Sequence, residues 1–468
     1  MNSVPSIRFL GGLQAVTGSH HLLETRAGRF LLDCGLFQGR RDEYYDVNSR
    51  FALPPEQLSA IVLSHAHIDH SGNLPTWVRG GFSGSIYTTP ATRDLCSLML
   101  PDSGHIQEED VRFVNKIRQR KGEPPRYPLY TEADARLALP FFRDVPYLEP
   151  REILPGVRLT FCDAGHVLGL AISVLEIDSG NGRPVRIAYA VDLGRRDLPL
   201  LRDPMVPQQI DYLVIESTYG DRAHDSLGDN TEKLAAAVRR TIDRGGKVVI
   251  PSFALERTQL VLYMLRELRE QNRIPQVPIF VDSPLACGIT EVFERHLDCL
   301  DNDDQRRVIN GGDLFGEHQV RFIRDVEESK ELNAIDEPMI IISASGMCES
   351  GRVLHHLRNT ITNGRNTVIV VGFMAEYTLG RRLVERRPTI RIFGEEHPLR
   401  AEIVTCNAFS AHADQPGLVE YVQESGRQLR GIFLVHGESA RAAALAERLQ
   451  GFGCPVTIPA AGDQVELA

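Results

Sequence analysis

The run His65-Ala66-His67-Ile68-Asp69-His70 places three imidazoles and a carboxylate within six positions, directly after the apolar stretch Ile61-Val62-Leu63. Neutral imidazole and carboxylate are the donors that borderline divalent ions such as zinc prefer. On a tight turn alternate residues can face different centres, so His65 and His67 can serve one ion while Asp69 and His70 serve a second. A merely solvated loop has no reason to keep that alternation against a buried strand. The cluster therefore reads as a two-metal site. Two ions about 3.5–4 Å apart are a recurrent device for phosphoester hydrolysis, with a carboxylate bridging them. Asp192 is the natural bridge, and His166 in Asp163-Ala164-Gly165-His166 is a further ligand candidate.

These residues must be delivered by strand ends. Arg29-Phe30-Leu31-Leu32 runs into Asp33, Ile61-Val62-Leu63 into the histidines, and Arg186 to Val191 into Asp192. The same placement of sites at strand ends is known from open α/β sheets. From about residue 209 the texture changes to alternating apolar strands and amphipathic helices, which predicts a mostly parallel sheet covered on both faces. Strands are expected at Asp211–Ile215, Lys247–Ile250, Pro278–Val281, Met339–Ile342 and Thr367–Val371, with helices from Thr231 and Leu255. Near Thr389 a half-buried hairpin, Arg391-Ile392-Phe393 with Leu399–Ile403, marks a return to the first texture, and Gly431–Val435 delivers His436. The expected division is 1–208 and 389–468 in one domain, with 209–388 inserted. The Arg-, Lys- and Pro-rich stretch Lys116 to Pro128 reads as an exposed loop or lid.

At 468 residues two domains are the prior expectation. A formal net charge of −10 argues against a passive nucleic-acid binder, so a polyanion would have to be met by ions or a local groove. Eight cysteines without a Cys-x-x-Cys pair, no signal peptide and no long apolar run suggest a reduced, cytoplasmic chain with no membrane partner.

The His-x-His-x-Asp-His run, with Asp33, His166 and Asp192 in order, resembles the motifs of the metallo-β-lactamase fold. Glu216 in Glu-Ser-Thr-Tyr-Gly, His412 in Phe-Ser-Ala-His-Ala-Asp and His436 in Leu-Val-His-Gly-Glu resemble motifs A, B and C of its β-CASP nuclease branch. Pro251-Ser-Phe-Ala, Ser343-Ala-Ser-Gly-Met347 and Thr378-Leu-Gly-Arg-Arg382 are similar to that branch too. The resemblance implies an α/β chain, an αββα sandwich with an inserted, mostly parallel β-CASP domain. It implies two zinc ions (manganese being the alternative), one held by His65, His67, His166 and Asp192, the other by Asp69, His70, Asp192 and His436. Asp33 would anchor the histidine loop from behind the ligands. A bridging hydroxide would attack the phosphodiester, with His412 as general acid and Glu216 fixing its tautomer.

Within that resemblance the histidine at motif C, His436, implies RNA as substrate; single-stranded RNA cleaved internally is the expected reaction. A 5′-exoribonuclease, a DNA nuclease and a non-catalytic RNA-binding subunit are the alternatives, and a homodimer is compatible with any of them. Substrate contacts are expected from Ser343, Ser345 and Gly346, whose small residues let backbone approach a phosphate, and from Arg257 and Arg382. His355-His356 could also face the substrate. Three positions depart from the branch: Glu256 and Tyr377 stand where glycine is usual, and Met374 where glutamine is.

Overall fold

The computed structural model describes residues 4–39, 41–180, 182–372 and 374–468. The chain divides into two compact units, residues 1–223 with 411–468, and residues 224–410. The first unit contains two seven-stranded sheets. One runs in the order Gln464–Glu466, Ser6–Gly11, His20–Thr25, Gly28–Leu32, Ala60–Val62, Ser85–Thr88, Phe142–Asp144. The other runs Val456–Thr457, Gly431–Val435, Tyr212–Glu216, Val185–Ala190, Ala171–Ile177, Val157–Asp163, Arg151–Leu154. Phe9, Leu23 and Phe30 of the first sheet share one buried core with Phe161, Leu175, Tyr189 and Phe433 of the second. Burying one apolar face of each sheet against the other is what makes the pair a sandwich.

Strand direction explains where the chemistry collects. In the second sheet Val185–Ala190, Tyr212–Glu216 and Gly431–Val435 are mutually parallel. Val157–Asp163 joins them in direction, because Ala171–Ile177 lies antiparallel to both it and Val185–Ala190. These four strands end at or just before His166, Asp192, Glu216 and His436. In the first sheet Gly28–Leu32 and Ala60–Val62 are parallel and lead into Asp33 and His65.

The second unit holds a six-stranded, wholly parallel sheet in the order Val320–Ile323, Ile279–Asp282, Ile340–Ser343, Val248–Pro251, Thr367–Val370, Glu402–Thr405. Its central strands are buried along their whole length, as helices on both faces require. The expected parallel sheet is there, but its limits differ from those read in the sequence. Tyr212–Glu216 belongs to the first unit, paired between Val185–Ala190 and Gly431–Val435. At the other end, Thr389–Ile392 pairs with Glu395–Pro398, not with Leu399–Ile403. Glu402–Thr405 instead extends the parallel sheet beside Thr367–Val370, so the return to the first unit comes at 411. Of the stretch Lys116 to Pro128, Lys116–Arg120 is the last turn of a 31-residue helix, Pro90–Arg120, and only 121–128 is a loop, mostly exposed.

The departures Glu256 and Tyr377 both stand at φ 68°, a left-handed backbone that favours glycine. That is the physical reason a glycine is usual at these places. Phe373, beside Met374, lies outside the described residues.

Candidate active site

The histidine loop leaves Ala60–Val62 and turns at once into a four-residue helix, Ile68–Ser71. The chain from Ser19 to Leu36 laces it in place. Ser19 N–H donates to Asp69 O (2.8 Å), Cys34 N–H to His70 O (2.8 Å) and Leu36 N–H to Ile68 O (2.9 Å). Gly35 permits this approach, since a Cβ there would lie 1.6 Å from Asp69 O. Gly194 does the same on the opposite side, where a Cβ would meet the Gly165 carbonyl carbon at 2.2 Å. Through Gly194 the three loops bearing His166, Asp192 and His412 are joined: Gly194 N–H donates to Ala164 O, Arg195 N–H to Ala411 O and Ala413 N–H to Leu193 O.

Asp192 sits at the centre of the cluster. Its Oδ2 lies 3.1 Å from His65 Nε2, 3.4 Å from His70 Nε2, and 3.9 Å from both His67 Nδ1 and His166 Nε2. Its Oδ1 lies 3.0 Å from His436 Nδ1 but in no geometry that makes a hydrogen bond. His436 Nε2 faces Asp69 Oδ2 at 3.5 Å and His70 Nε2 at 3.2 Å. Candidate ligand atoms gather as His65, His70 and Asp192; His67, His166 and Asp192; and Asp69, His70 and His436. All seven residues that the sequence nominated as ligands are thus brought together.

Asp33 is completely buried and touches none of the convergent atoms. Its Oδ2 accepts from His70 Nδ1 (2.7 Å), the Ser64 hydroxyl (2.9 Å) and the Tyr189 hydroxyl (2.9 Å), and its Oδ1 accepts from Ser64 N–H (2.7 Å). The tautomers are set by these bonds. With Nδ1 donating to Asp33, neutral His70 presents its lone pair at Nε2. The Ser64 hydroxyl, donating to Asp33, accepts from His65 Nδ1 at 3.0 Å, so His65 also presents Nε2. One carboxylate therefore orients two candidate ligands. Sequence reading missed Ser64 and Tyr189. A hydroxyl residue immediately before the first histidine was the available signal for Ser64, and nothing marked Tyr189.

Asp33, Asp192 and His436 all adopt positive φ, 60°, 53° and 47°. Non-glycine residues in this region cost roughly 1–3 kcal/mol each and concentrate at functional sites, where surrounding structure holds them.

Electrostatics are those of a strongly coupled cage. Burial drives the His65 imidazole down to about 4, with His70 adding to the effect. Burial also pushes His166 well down, helped by His412. Burial opposes charge on His70 and His436, but Asp192 outweighs it and lifts both, His436 to about 10. Burial likewise opposes ionisation of Asp69 and Asp192, yet His436 and His70 hold both carboxyls below the usual range. Two further observations fit metal ions here. Buried Asp192 Oδ1 has no hydrogen-bond partner, and the donor set is wholly imidazole and carboxylate.

Beside the cage stands a second pair. Glu216 is fully buried, with both carboxylate oxygens 3.1 Å from His412 Nδ1. The His412 ring lies 4.2 Å from that of His166. Burial would lower the His412 pKa, but the Glu216 carboxylate more than compensates and raises it.

The expected substrate contacts in the second unit are mostly committed elsewhere. The Ser343 hydroxyl is buried and donates to Asp282 O (2.8 Å). Arg257 is buried, its Nη1 donating to Val371 O (2.5 Å) and its Nε to Glu256 (3.2 Å). Gly346 packs under Phe253, 2.8 Å from where its Cβ would be. Ser345 is half-buried and accepts from Glu349 N–H (3.2 Å), and Arg382 is half-buried at the helix Leu379–Val384. His356 is a core residue: its Nε2 lies 2.6 Å from buried Asp282 Oδ2. His355 packs against the Phe393 ring at 4.7 Å.

Comparison with known proteins agrees with this construction. Three family models match: the metallo-beta-lactamase superfamily over residues 16–93, the Beta-Casp domain over 258–383, and the Zn-dependent metallo-hydrolase RNA specificity domain over 396–459. Ribonuclease TTHA0252 of Thermus thermophilus is 34% identical over 457 residues, covering 98% of this chain and 99% of that protein. Transcription termination factor FttA of Methanocaldococcus jannaschii is 30% identical over 456 residues, 95% of this chain and 68% of the other. A crystal structure of a protein of unknown function from Enterococcus faecalis V583 shares the fold, with a TM-score of 0.56 at 11% identity over 99% of this chain and all of that one. Among the described residues no helix is long and apolar enough to cross a membrane.

Proposed function

Because the chain belongs to the β-CASP family of metallo-hydrolases on the metallo-β-lactamase fold, we propose that it is a two-zinc ribonuclease cutting single-stranded RNA internally. The observation that carries this reading is the Glu216–His412 pair standing against the cage of His65, His67, Asp69, His70, His166, Asp192 and His436. Hydrolysis at a metal pair also needs a proton for the leaving oxygen, and that pair is built to give one.

His65, His67, His166 and Asp192 would hold one ion, and Asp69, His70, Asp192 and His436 the other. Bound there, the ions supply Lewis-acid activation of a water and neutralise the charge that develops on the phosphate. Asp33 keeps Nε2 of His70 and, through Ser64, Nε2 of His65 bare for ligation. Glu216 accepts the Nδ1 proton of His412, so the proton His412 delivers comes from Nε2. Protonation is favoured by the same carboxylate, and the acceptor is the departing ribose 3′-oxygen. Such general acid catalysis contributes about 10²–10⁴-fold. RNA as substrate is supported by His436 at motif C and by the match to an RNA specificity domain. We place the enzyme in the cytoplasm, a reading that its free, mostly buried thiols support.

The test separates metal from acid. His412→Ala should retain bound zinc at wild-type stoichiometry while losing RNA cleavage, and His67→Ala should lose both. Wild-type cleavage by His412→Ala would overturn the assignment of the acid.

A further inference from the structure

The helix Pro90–Arg120 is buried along one side by Leu100, Gly104, Gln107 and Val111, while the other side of its second half carries large apolar side chains into solvent. Ile106 is 49% exposed, Phe113 59% and Ile117 41%. Spaced seven and four residues apart, at about 3.6 residues per turn, they form a single line. Exposed apolar side chains scattered singly need no explanation, but an aligned seam does. The surface continues past the helix end. Asn115 holds the following loop by bonds to Arg126 N–H (2.8 Å) and Arg126 O (2.9 Å), the Arg126 guanidinium lies over the Tyr45 ring, and Tyr127 and Val47 are exposed.

Charge along this seam is sorted by sign. Asp102, Glu109 and Asp110 flank its first half, and Lys116, Arg120 and Lys121 its second. Glu109 also pairs with Arg112 on its own helix, a surface contact of the kind worth little and readily exchanged. A helix that is acidic at one end and basic at the other is complementary to itself when a second copy runs antiparallel. Run in parallel, like charges would meet. A polyanion such as RNA would be repelled by the acidic half.

We propose that this face is a homodimer interface, in which the long helices of two copies pack antiparallel about a two-fold axis near Phe113. Isologous contacts of this kind are the commonest route to dimers. Interfaces below about 1,200 Å² in total are weak encounters, and a helix pair falls in that class. Dimerisation is therefore concentration-dependent in the micromolar range and weakens with salt. This inference is independent of the proposed activity.

The test is sedimentation velocity on the full chain from low to high micromolar, with paired charge reversals at exposed positions. Glu109→Lys with Asp110→Lys makes the seam basic throughout, and Lys116→Glu with Arg120→Glu makes it acidic throughout. Each double variant should be monomeric where the wild type dimerises, and an equimolar mixture of the two should dimerise again. Phe113→Ser, with native circular dichroism, should be monomeric as well. A wild type that stays monomeric over the whole range overturns the proposal, and so do charge variants that dimerise as the wild type does. Loss of RNA binding in the acidic variant, with the wild type monomeric, would assign the face to RNA instead.

Discussion

Replacing Asp33 with asparagine isolates the carboxylate that arms the cage. The introduced amide keeps one acceptor, which can retain Ser64 N–H, now 2.7 Å from Oδ1. At the place of Oδ2 it presents an N–H to three donors: the Ser64 hydroxyl, the Tyr189 hydroxyl and His70 Nδ1–H. The hydroxyls can rotate, and Tyr189 already has Ser19 Oγ at 3.1 Å. His70 cannot rotate away, and its neutral form must carry the proton on Nε2, the nitrogen that faces His436 and Asp192. A protonated nitrogen is no ligand. Loss of a bond behind a ligand typically costs 10–100-fold in metal affinity, about 1.4–2.7 kcal/mol. Buried charge-assisted bonds lost at the same time destabilise the fold by about 2–4 kcal/mol. Competition against a chromogenic chelator gives the zinc dissociation constants, and thermal melts in chelator give the stability. Tyr189→Phe, which removes one neutral donor, is the control and should change affinity by no more than roughly fivefold, about 1 kcal/mol. A folded Asp33→Asn protein that binds zinc as tightly as the wild type would refute the reasoning.

Four further outcomes are expected from the same geometry. Since His412 in its proposed role as general acid must be protonated, and Glu216 raises its pKa against burial, activity should fall as pH rises through that value; Glu216→Gln should move the alkaline limb to lower pH and cost about 10²–10⁴ in rate, read from a pH–rate profile. Zinc added to chelator-stripped protein in weak buffer near neutrality should release protons, because Asp192 raises the pKa of His70 and His436 and ligands must be deprotonated to bind; a pH electrode registers this, and uptake without release contradicts it. In the second unit, buried Asp282 is paired with His356, Ser329 and Arg352, which depress its pKa despite burial; Asp282→Asn should cost about 3–5 kcal/mol at neutral pH in denaturant unfolding. Because a depressed carboxyl stabilises above its unfolded pKa, near 3.9, and loses that contribution as pH falls through the folded value, the gap between variant and wild type should close in acid. Tyr377 is 88% exposed at φ 68°, so Tyr377→Gly should stabilise the fold by about 1 kcal/mol, measured by the same unfolding.

The candidate ligand set was legible because its chemistry is crowded into one loop and its remaining members close apolar runs. A run such as Ile187 to Val191 must be a buried strand, and the residue after it must emerge at the strand's end. Strand membership was not legible. Tyr212–Glu216 is as apolar as any strand of the second unit, and only its pairing with Val185–Ala190 and Gly431–Val435 assigns it to the first. Glu402–Thr405 was misread for the converse reason: beside a real hairpin its alternation looks like a hairpin arm, whereas it is the edge of a parallel sheet. Arg257, Ser343 and His356 read as polar residues near a substrate, but burial and three-dimensional partners commit them to the core. Positive φ at Asp33, Asp192 and His436 falls on residue types that tolerate it better than most, but Asp and His are too common elsewhere for the type alone to announce it.

Cleavage of RNA at the assembled site is the most direct measurement. Zinc-loaded protein of known metal content should be given one single-stranded RNA labelled at its 3′ end, with or without a 5′-phosphate, and the matching DNA. Internal RNA fragments whatever the 5′ end, no DNA cleavage, and loss of fragments with His412→Ala are the expected result. Intact RNA after incubation with protein that carries its full zinc would contradict a metal-dependent ribonuclease.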